Sequence, residues 1–238
     1  MESPLISIIT VCLNAEETIE RTILSVIEQS YTNIEYIIKD GGSTDHTLDI
    51  INKYGNRINL IKSKDKGIYD AMNQGKSQAK GDFILFLGAD DVLYDKNAIE
   101  SVATMITKRD FIYYGNVKFV SDGRLYAGKF NKWKWGYMNI CHQAIFYPKS
   151  IYSRYDYEEK YKLVADWAYN LNLLSKHVDF EYMELVVAHY NNVSGISSNR
   201  NDSLFLKERM KLTVNAVGLM PFVYGLCMKV LRNIKGRG

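Results

Sequence analysis

The sequence predicts an α/β fold in which a doubly wound, mostly parallel central sheet is flanked by helices. Through about the first ninety residues, short runs rich in β-branched and aromatic residues alternate with stretches of helical periodicity. This alternation implies right-handed crossovers between parallel strands. A chain of 238 residues, 47% hydrophobic and 24% charged, has the size and balance of one large globular domain or of one domain with an appendage.

The N-terminal half is predicted to contain four strands joined by three helices. We predict its strands at residues 5–11, 36–39, 59–63 and 83–87. The first helix follows a candidate cap at Asn14, the second ends near residue 53, and the third covers residues 69–79. The fourth strand is a run of apolar residues, which is typical of a strand buried on both faces.

The pattern changes in the C-terminal half. An antiparallel hairpin is predicted from residues 111–120 and 124–130, and residues 132–137 form an aromatic, basic loop. The Gly- and Ser-rich run at residues 194–198 predicts a flap that orders over a bound ligand. Further helices are predicted at residues 97–107, 161–175, 201–217 and 221–234, and further strands at residues 144–147 and 185–189.

Charge is unevenly distributed along the chain. The net charge is +3, but residues 207–238 hold seven Lys or Arg against Glu208, so this tail carries +6 and the remainder −3. Basic residues confined to a tail do not form the broad basic face of a nucleic-acid-binding protein, so no nucleic-acid partner is expected. Three distant cysteines without CxxC spacing argue against a disulfide framework or a zinc site and favour a reducing compartment. The first residues lead directly into a strand, so no signal peptide is expected.

The tail favours contact with a membrane surface. Residues 216–228 are uncharged but interrupted by Gly218, Pro221 and Gly225, and basic residues follow them. Because crossing a bilayer takes about 20 apolar residues, this segment is too short and too broken to span one. An interfacial helix beside anionic head groups fits the pattern, and the alternative is a helix packed on the body with a basic end.

Two adjacent carboxylates, Asp90 and Asp91, follow the fourth strand. In an open α/β sheet, ligands bind at the carboxyl ends of the strands. Because two neighbouring carboxylates repel each other, a hard divalent cation that holds a phosphate is one explanation for the pair. The alternative is that they cap the helix beginning near residue 96. The first turn, at residues 12–16, lacks G-x-G-x-x-G, which argues against a dinucleotide-dependent dehydrogenase.

Five motifs follow one another along the chain. They are IITVCLNAE at residues 8–16, KDGGSTD at 39–45, DKGIYDAMN at 65–73, GDFILFLGADD at 81–91 and VADW at 164–167. In order and spacing they resemble a family 2 glycosyltransferase with a GT-A fold, of the type that assembles bacterial O-antigen or capsule polysaccharide. The resemblance implies a GT-A domain over residues 1–198, with a nucleotide-binding half at 1–91 and an acceptor half at 92–198. Residues 199–238 are then a separate helical, basic segment.

The resemblance implies a sugar-nucleotide donor, with polar side chains at several strand ends to hold it. The candidate donor-binding side chains are Thr10, Asn14, Glu16, Asp40, Asp65 and Lys66. Asp40 is the implied partner of the uracil N3–H, and an Asx turn at the Gly-Gly corner is the alternative. Lys66 is a candidate phosphate ligand or, alternatively, a solvated surface lysine.

Two positions depart from the family pattern. The usual paired acid of the second motif is here Asp40-Gly41, and the usual D-x-D is here G-A-D-D at residues 88–91. Ligation of Mn²⁺ or Mg²⁺ is therefore expected from Asp90, from Asp91 or from both. The ribose contact of the missing acid is expected to pass to the Gly88 backbone or to a water.

The resemblance implies that Asp166 is the catalytic base. In an inverting transfer it accepts the proton of the acceptor hydroxyl, while the metal stabilises the leaving diphosphate. Its place at the start of an amphipathic helix also makes it a candidate N-cap. Trp135, His142 and Trp167 are candidate acceptor-binding residues, with a structural role as the alternative for His142. His189 is a candidate additional metal ligand or, alternatively, a structural histidine of its strand.

Together these features predict an inverting, metal-dependent glycosyltransferase that uses a UDP-sugar donor. The expected acceptor is a sugar, carried on a polyprenyl diphosphate lipid, and the expected location is the cytoplasmic face of the plasma membrane. The alternatives are a nucleotidyltransferase that makes sugar nucleotides and a catalytically silent binding module of the same fold. A nucleotidyltransferase would need a Gly-rich loop bearing Arg or Lys after the first strand, and residues 12–16 are not such a loop.

Overall fold

The computed structural model describes residues 3–126, 128–193 and 202–235, with side chains as far as residue 231. Within these residues the strands are β1 (Ile6–Cys12), β2 (Ile34–Asp40), β3 (Asn59–Lys62), β4 (Phe83–Phe86), β5 (Val92–Leu93), β6 (Ile112–Phe119), β7 (Leu125–Tyr126), β8 (Ile145–Pro148) and β9 (Phe180–Tyr190). The α-helices are α1 (Ile19–Ile27), α2 (Thr47–Asn52), α3 (Ile68–Ser77), α4 (Ala98–Met105), α5 (Lys132–Trp135), α6 (Lys149–Tyr152), α7 (Ala165–Ser175), α8 (Ser203–Val217) and α9 (Leu219–Lys235).

All these strands belong to one mixed sheet, in the order β3-β2-β1-β4-β8-β6-β9-β5, with β7 paired to β6. The first four strands are parallel, as the alternation of strands and helices predicted. β8 then joins antiparallel to both β4 and β6, placing Tyr147 opposite Ile84 and Ile145 opposite Tyr114. The carboxyl ends of β2, β1 and β4 therefore lie side by side at one edge of the sheet.

The sheet separates two apolar cores. Side chains alternate across β1, so Ile6 and Ile8 join one core while Ile9 joins the other. The first core is closed by α1, α2 and α4, and the second by α3 and α7. Helices on both faces of the sheet are the layered arrangement that the sequence predicted.

The C-terminal half differs in detail from the expectation. The predicted hairpin is present, but β7 is only two residues long, with Tyr126 opposite Val117. The predicted loop at residues 132–137 contains α5, because the Asn131 side chain caps it by accepting from the backbone N–H groups of Trp133 and Lys134. α7 starts at Ala165 rather than near residue 161. The predicted flap at residues 194–198 lies outside the described residues.

The two C-terminal helices are present and dock on the body. α8 packs on α7, and α9 packs on α5 and α8. At the α5–α9 crossing, a Cβ built on Gly225 would lie 2.4 Å from the carbonyl oxygen of Gly136, so only glycine permits this backbone contact. Among the described residues, no helix is both long and apolar enough to span a bilayer.

Candidate functional site

The acidic residues predicted to form a site follow neighbouring strands. Asp40 ends β2, and Asp90 and Asp91 follow β4, with β1 lying between these two strands. Cys12 at the end of β1 pairs in register with Asp40. The sheet order therefore collects these side chains at one edge, as expected for a ligand site of an α/β protein.

Asp40 is buried and forms an Asx turn. Its Oδ1 accepts hydrogen bonds from the backbone N–H groups of Gly42 (2.9 Å) and Ser43 (3.0 Å), and the Ser43 hydroxyl donates to Oδ2 (2.5 Å). This is the structural role considered as the alternative for Asp40. It holds the carboxylate in one orientation at the strand end, where a base contact remains a proposal.

The β1–α1 and β2–α2 loops are held together by Asn14 and Glu16. Asn14 Oδ1 accepts from the backbone N–H of Thr44 (2.9 Å), and Glu16 Oε2 accepts from that of His46 (2.8 Å). Both residues are exposed at the edge of the sheet. Thr10 differs, because its side chain is fully buried with its hydroxyl 3.2 Å from that of Tyr36. The placement of Thr10 at the donor site is therefore corrected: it lies in the core beneath that edge.

A buried ion pair lies beside Asp40. Lys39 is fully buried, and its Nζ donates to Asp65 Oδ2 (2.7 Å) and to the carbonyl oxygens of Ser63 (2.8 Å) and Asp40 (3.1 Å). A Cβ built on Gly41 would lie 2.7 Å from Asp65 Oδ2, so the carboxylate of Asp65 fills the space above the glycine that replaces the family's second acid. Lysine 39 was not singled out from the sequence, because an inward-facing lysine on a strand has no periodic signature.

Lys66 follows Asp65 and is exposed. Its backbone N–H donates to Asp70 Oδ2 (2.8 Å), and the Gly67 N–H donates to Asp65 Oδ1 (3.1 Å). The loop before α3 is thus held by carboxylates, while the ammonium group of Lys66 extends from it. The phosphate contact of Lys66 stays a prediction.

Asp90 and Asp91 have different surroundings. Asp91 is buried, with Oδ1 accepting from the backbone N–H of Asn191 (2.7 Å) and Oδ2 from Gln143 Nε2 (2.8 Å). Burial raises the pKa of Asp91 to about 6 and also raises the pKa of Asp90. Asp90 is half-buried, and its Oδ2 accepts from Asn191 Nδ2 (3.1 Å). Neither carboxylate caps α4, whose N-cap is Asn97.

Gly88 explains why the first acid of D-x-D is missing. A Cβ at this position would lie 2.5 Å from Asp91 Oδ2 and 3.1 Å from Asp90 Oδ1. The two carboxylates therefore pack directly against the bare backbone of Gly88. A side chain there would displace one of them.

The surroundings of Asp90 and Asp91 are compatible with a divalent cation bound by Asp90. Asp91 has both oxygens engaged by protein donors, whereas among the described side-chain hydrogen bonds Asp90 accepts one, at Oδ2, and it is less buried, so Asp90 is the better donor. Mg²⁺ and Mn²⁺ are commonly held by one or two carboxylates together with substrate phosphates and waters, so one carboxylate is sufficient. No cluster of three or more His, Cys, Asp or Glu suited to a metal occurs among the described residues. His189 packs its ring on Tyr94 (centroids 5.1 Å apart).

Asp166 lies in the first turn of α7, and its carboxylate is held at both oxygens. Tyr69 donates its hydroxyl hydrogen to Oδ1 (2.9 Å), and Asn139 Nδ2 donates to Oδ2 (2.8 Å). The side chain of Asp166 does not cap the helix, whose N-cap is Val164. Tyr69 lies within the third motif and Asn139 outside all five, and nothing in the sequence links either residue to Asp166.

Residues 141–143 connect Asp166 to the acids of β4. His142 Nδ1 lies 3.6 Å from Asp166 Oδ2, and the next residue, Gln143, binds Asp91. Burial raises the pKa of the Cys141 thiol, and the charges of Asp166 and Asp91 both add to this effect. Asp166 and Asp91 are therefore bridged by one short segment of the chain.

The two candidate acceptor tryptophans have different surroundings. Trp135 is buried, with its ring packed on Phe130 (centroids 4.8 Å apart) and Phe180 (5.2 Å), so it belongs to the core. Trp167 packs on Phe205 of α8 (5.1 Å), which makes it part of the α7–α8 contact. Trp135 is therefore corrected from an acceptor-binding candidate to a core residue, whereas Trp167 is half-buried and, like His142, stays a prediction.

Comparison with known proteins confirms the resemblance. Residues 7–175 match the model of the family described as "Glycosyl transferase family 2". The chain is 37% identical over 216 residues to "PGL/p-HBAD biosynthesis glycosyltransferase" of Mycobacterium bovis, covering 87% of this chain and 84% of the relative. It is 30% identical over 236 residues to the Escherichia coli "UDP-Glc:alpha-D-GlcNAc-diphosphoundecaprenol beta-1,3-glucosyltransferase WfaP", covering 94% and 91% of the two chains.

Solved structures show the same fold. S. aureus TarS residues 1–349 superpose with a TM-score of 0.71 at 20% identity, covering 92% of this chain and 70% of that one. This protein covers 36% of the length of a longer TarS chain that has also been solved. A mannosyltransferase of Pyrobaculum calidifontis, in complex with GDP-Man and Mn²⁺, superposes with a TM-score of 0.65 at 13% identity, covering 90% and 63%. The predicted GT-A fold is thus confirmed.

Proposed function

Because this chain belongs to glycosyl transferase family 2, we propose that it is an inverting, metal-dependent enzyme that transfers a hexose from a UDP-sugar to a sugar acceptor. The acceptor is carried on a polyprenyl diphosphate, and the product is a cell-surface polysaccharide. The relative WfaP is named for UDP-Glc and a diphosphoundecaprenol-linked GlcNAc, and TarS has been solved with UDP-GlcNAc. These named ligands support a uridine nucleotide and a lipid-linked acceptor for this chain.

The observation that carries the proposal is the placement of Asp166. Its carboxylate is fixed by Tyr69 and Asn139 and lies across residues 141–143 from the strand-end acids. Asp166 can therefore face the acceptor hydroxyl while Asp90 faces the donor diphosphate. A binding module would not need an oriented carboxylate between the two ligands.

The proposed reaction is a single displacement. As the acceptor oxygen forms its bond to the anomeric carbon, Asp166 accepts the hydroxyl proton, and the bond from that carbon to the diphosphate oxygen breaks. UDP leaves with the bonding electron pair, and the configuration of the anomeric carbon is inverted. Asp90 would hold the divalent cation, which supplies Lewis-acid stabilisation of the diphosphate charge when bound. Asp40 would accept from the uracil N3–H at the end of β2.

The test measures UDP release from UDP-glucose, UDP-galactose and their N-acetyl forms, with a GlcNAc-diphosphate lipid as the acceptor. We expect one donor to turn over, and Asp166→Asn to lower kcat by at least about a hundredfold while the Kd for UDP stays unchanged. Asp49→Asn is the matched control, because Asp49 is an exposed acid on α2. Binding of UDP without turnover of any donor would instead indicate the silent binding module.

The metal assignment has its own test. Calorimetric titration of UDP is expected to show weaker binding in EDTA than in Mn²⁺, and Asp90→Asn should remove this difference. If Asp91→Asn removes the difference and Asp90→Asn does not, the assignment of the cation to Asp90 is wrong.

We also propose that α9 places the enzyme on the inner face of the plasma membrane. Gly225 docks the helix on the body, and the opposite face exposes Met220 (67%), Val223 (42%) and Val230 (58%) at helical spacing. α9 contains no acidic residue, and its Lys229 is exposed. A helix that combines an exposed apolar stripe with basic residues is of the kind that binds anionic head groups.

Flotation with vesicles of anionic and of neutral lipid tests this proposal. The variant Met220→Glu/Val230→Glu should lose binding to anionic vesicles. The control is Val120→Glu, which should keep that binding, because Val120 directly follows β6 and is as exposed as Val230. Binding should also weaken as salt is raised. Equal flotation of both variants would contradict the proposal.

A further inference from the structure

We propose that Tyr69 and Asn139 act as positioning residues, forming a two-sided hydrogen-bond clamp that orients the carboxylate of Asp166 toward the acceptor hydroxyl. This inference rests on the proposed function, in which Asp166 is the base. It assigns a role to Tyr69 of the third motif and to Asn139, which lies outside the motifs.

The clamp holds the two carboxylate oxygens of Asp166 by residues from two different parts of the fold. Tyr69 comes from the first turn of α3 and reaches Oδ1 (2.9 Å), while Asn139 comes from the segment after α5 and reaches Oδ2 (2.8 Å). Rotation of the carboxylate would break both bonds, so its plane is fixed. Each oxygen can accept a second hydrogen bond, so a lone pair remains for the acceptor hydroxyl.

Asn139 is itself oriented by a buried relay. Its Oδ1 accepts from Asn170 Nδ2 (3.0 Å), and Asn170 Oδ1 accepts from the Tyr147 hydroxyl (2.8 Å). Asn170 and Tyr147 are both buried. Because the side-chain oxygen of Asn139 accepts this hydrogen bond, the side-chain NH₂ group is left to face Asp166. A relay of satisfied polar groups is the kind of support that holds a reacting side chain within a fraction of an ångström.

The position of Tyr69 is fixed by α3, which carries most of the third motif. α3 bears Tyr69, Asn73 and Lys76 on one face, and the latter two bind backbone groups of the segment that precedes α7. The Tyr69 ring packs against Tyr157 (centroids 5.4 Å apart). Burial, together with the charge of Asp166, raises the pKa of Tyr69 well above its usual value, so the hydroxyl keeps the proton that it donates.

The experiment compares Tyr69→Phe and Asn139→Ala with Tyr157→Phe. Tyr157 is the matched control, because it is equally buried in the same aromatic cluster and makes no hydrogen bond to Asp166 among those described. With the donor and acceptor that turn over fastest in the UDP-release panel, Tyr69→Phe and Asn139→Ala should each lower kcat about tenfold to a hundredfold. The KM for donor and the Kd for UDP should change less than about threefold, and Tyr157→Phe should leave kcat unchanged.

A double-variant cycle separates positioning from packing. If Tyr69 acts through Asp166, adding Tyr69→Phe to Asp166→Asn should not lower the residual rate further. Full additivity, or an equal loss of kcat in Tyr157→Phe, would overturn the clamp. If Asp166→Asn retains wild-type activity, or if no donor turns over, the proposed function fails and the clamp fails with it. If Asp166→Asn is inactive and Tyr69→Phe is normal, the clamp alone is refuted.

Discussion

Gly88→Ala should damage the site although it neither adds nor removes a charged group. The added Cβ would lie 2.5 Å from Asp91 Oδ2, well inside an ordinary carbon–oxygen contact. The carboxylate cannot move away freely, because Gln143 Nε2 and the Asn191 N–H hold its two oxygens at 2.8 and 2.7 Å. Overpacking costs about 1–3 kcal/mol, and losing one hydrogen bond to a charged group costs about 1.5–3 kcal/mol. We therefore expect a loss of about 3 kcal/mol in the free energy of unfolding.

Thermal denaturation measures this loss directly. For a chain of this size about 3 kcal/mol corresponds to a fall in Tm of about 6–12 °C. The control is Gly88→Ala in an Asp91→Ala background, where the clashing carboxylate is absent and the same substitution should cost less than about 1 kcal/mol. A fall in Tm below about 2 °C in the wild-type background, or an equal cost in both backgrounds, would refute the steric argument. Gly88→Asp, which restores the first acid of D-x-D, is expected to be less stable still.

Three further predictions follow from buried groups. Asp91→Asn should stabilise the protein by up to about 3 kcal/mol at pH 7.5, because the pKa of Asp91 is raised to about 6 and the buried carboxylate is charged at that pH. Urea unfolding should show that this advantage disappears near pH 4, where the carboxyl of Asp91 is protonated in the folded protein. Lys39→Met should cost about 3 kcal/mol or more by leaving Asp65 without its buried partner, and Lys39→Met/Asp65→Leu should recover part of that loss in the same assay. Trp135→Ala should lower the free energy of unfolding by about 3–5 kcal/mol while leaving the KM for acceptor within about threefold, since this ring lies in the core.

The strands of the N-terminal half could be predicted because each is a compact apolar run with its own turn. The neighbours of those strands could not all be predicted. β8 is a short apolar run like β4, and nothing local indicates that it pairs antiparallel with β4 and with β6. Its position follows from packing across both cores, which single-sequence periodicity does not report.

The residues of the candidate site were also predictable only in part. Asp40, Asp90 and Asp91 were expected at strand ends because the carboxyl edge of a sheet follows from topology alone. The partners of Asp166 were not expected, since Tyr69 precedes it by 97 residues and Asn139 by 27. Trp135 was wrongly placed because a four-residue helix is too short for its buried side to appear as a periodic pattern.

The position of β8 also bears on synthesis of the chain at the ribosome. β4 pairs on one side with β1 and on the other with β8, whose residues are translated about sixty positions later. A nascent chain that ends near residue 91 would leave one edge of β4 open to a foreign strand. The nucleotide-binding half, expressed alone, is therefore expected to self-associate, and adding residues up to the end of β9, which covers the remaining edge of β6, should reduce that self-association in gel filtration.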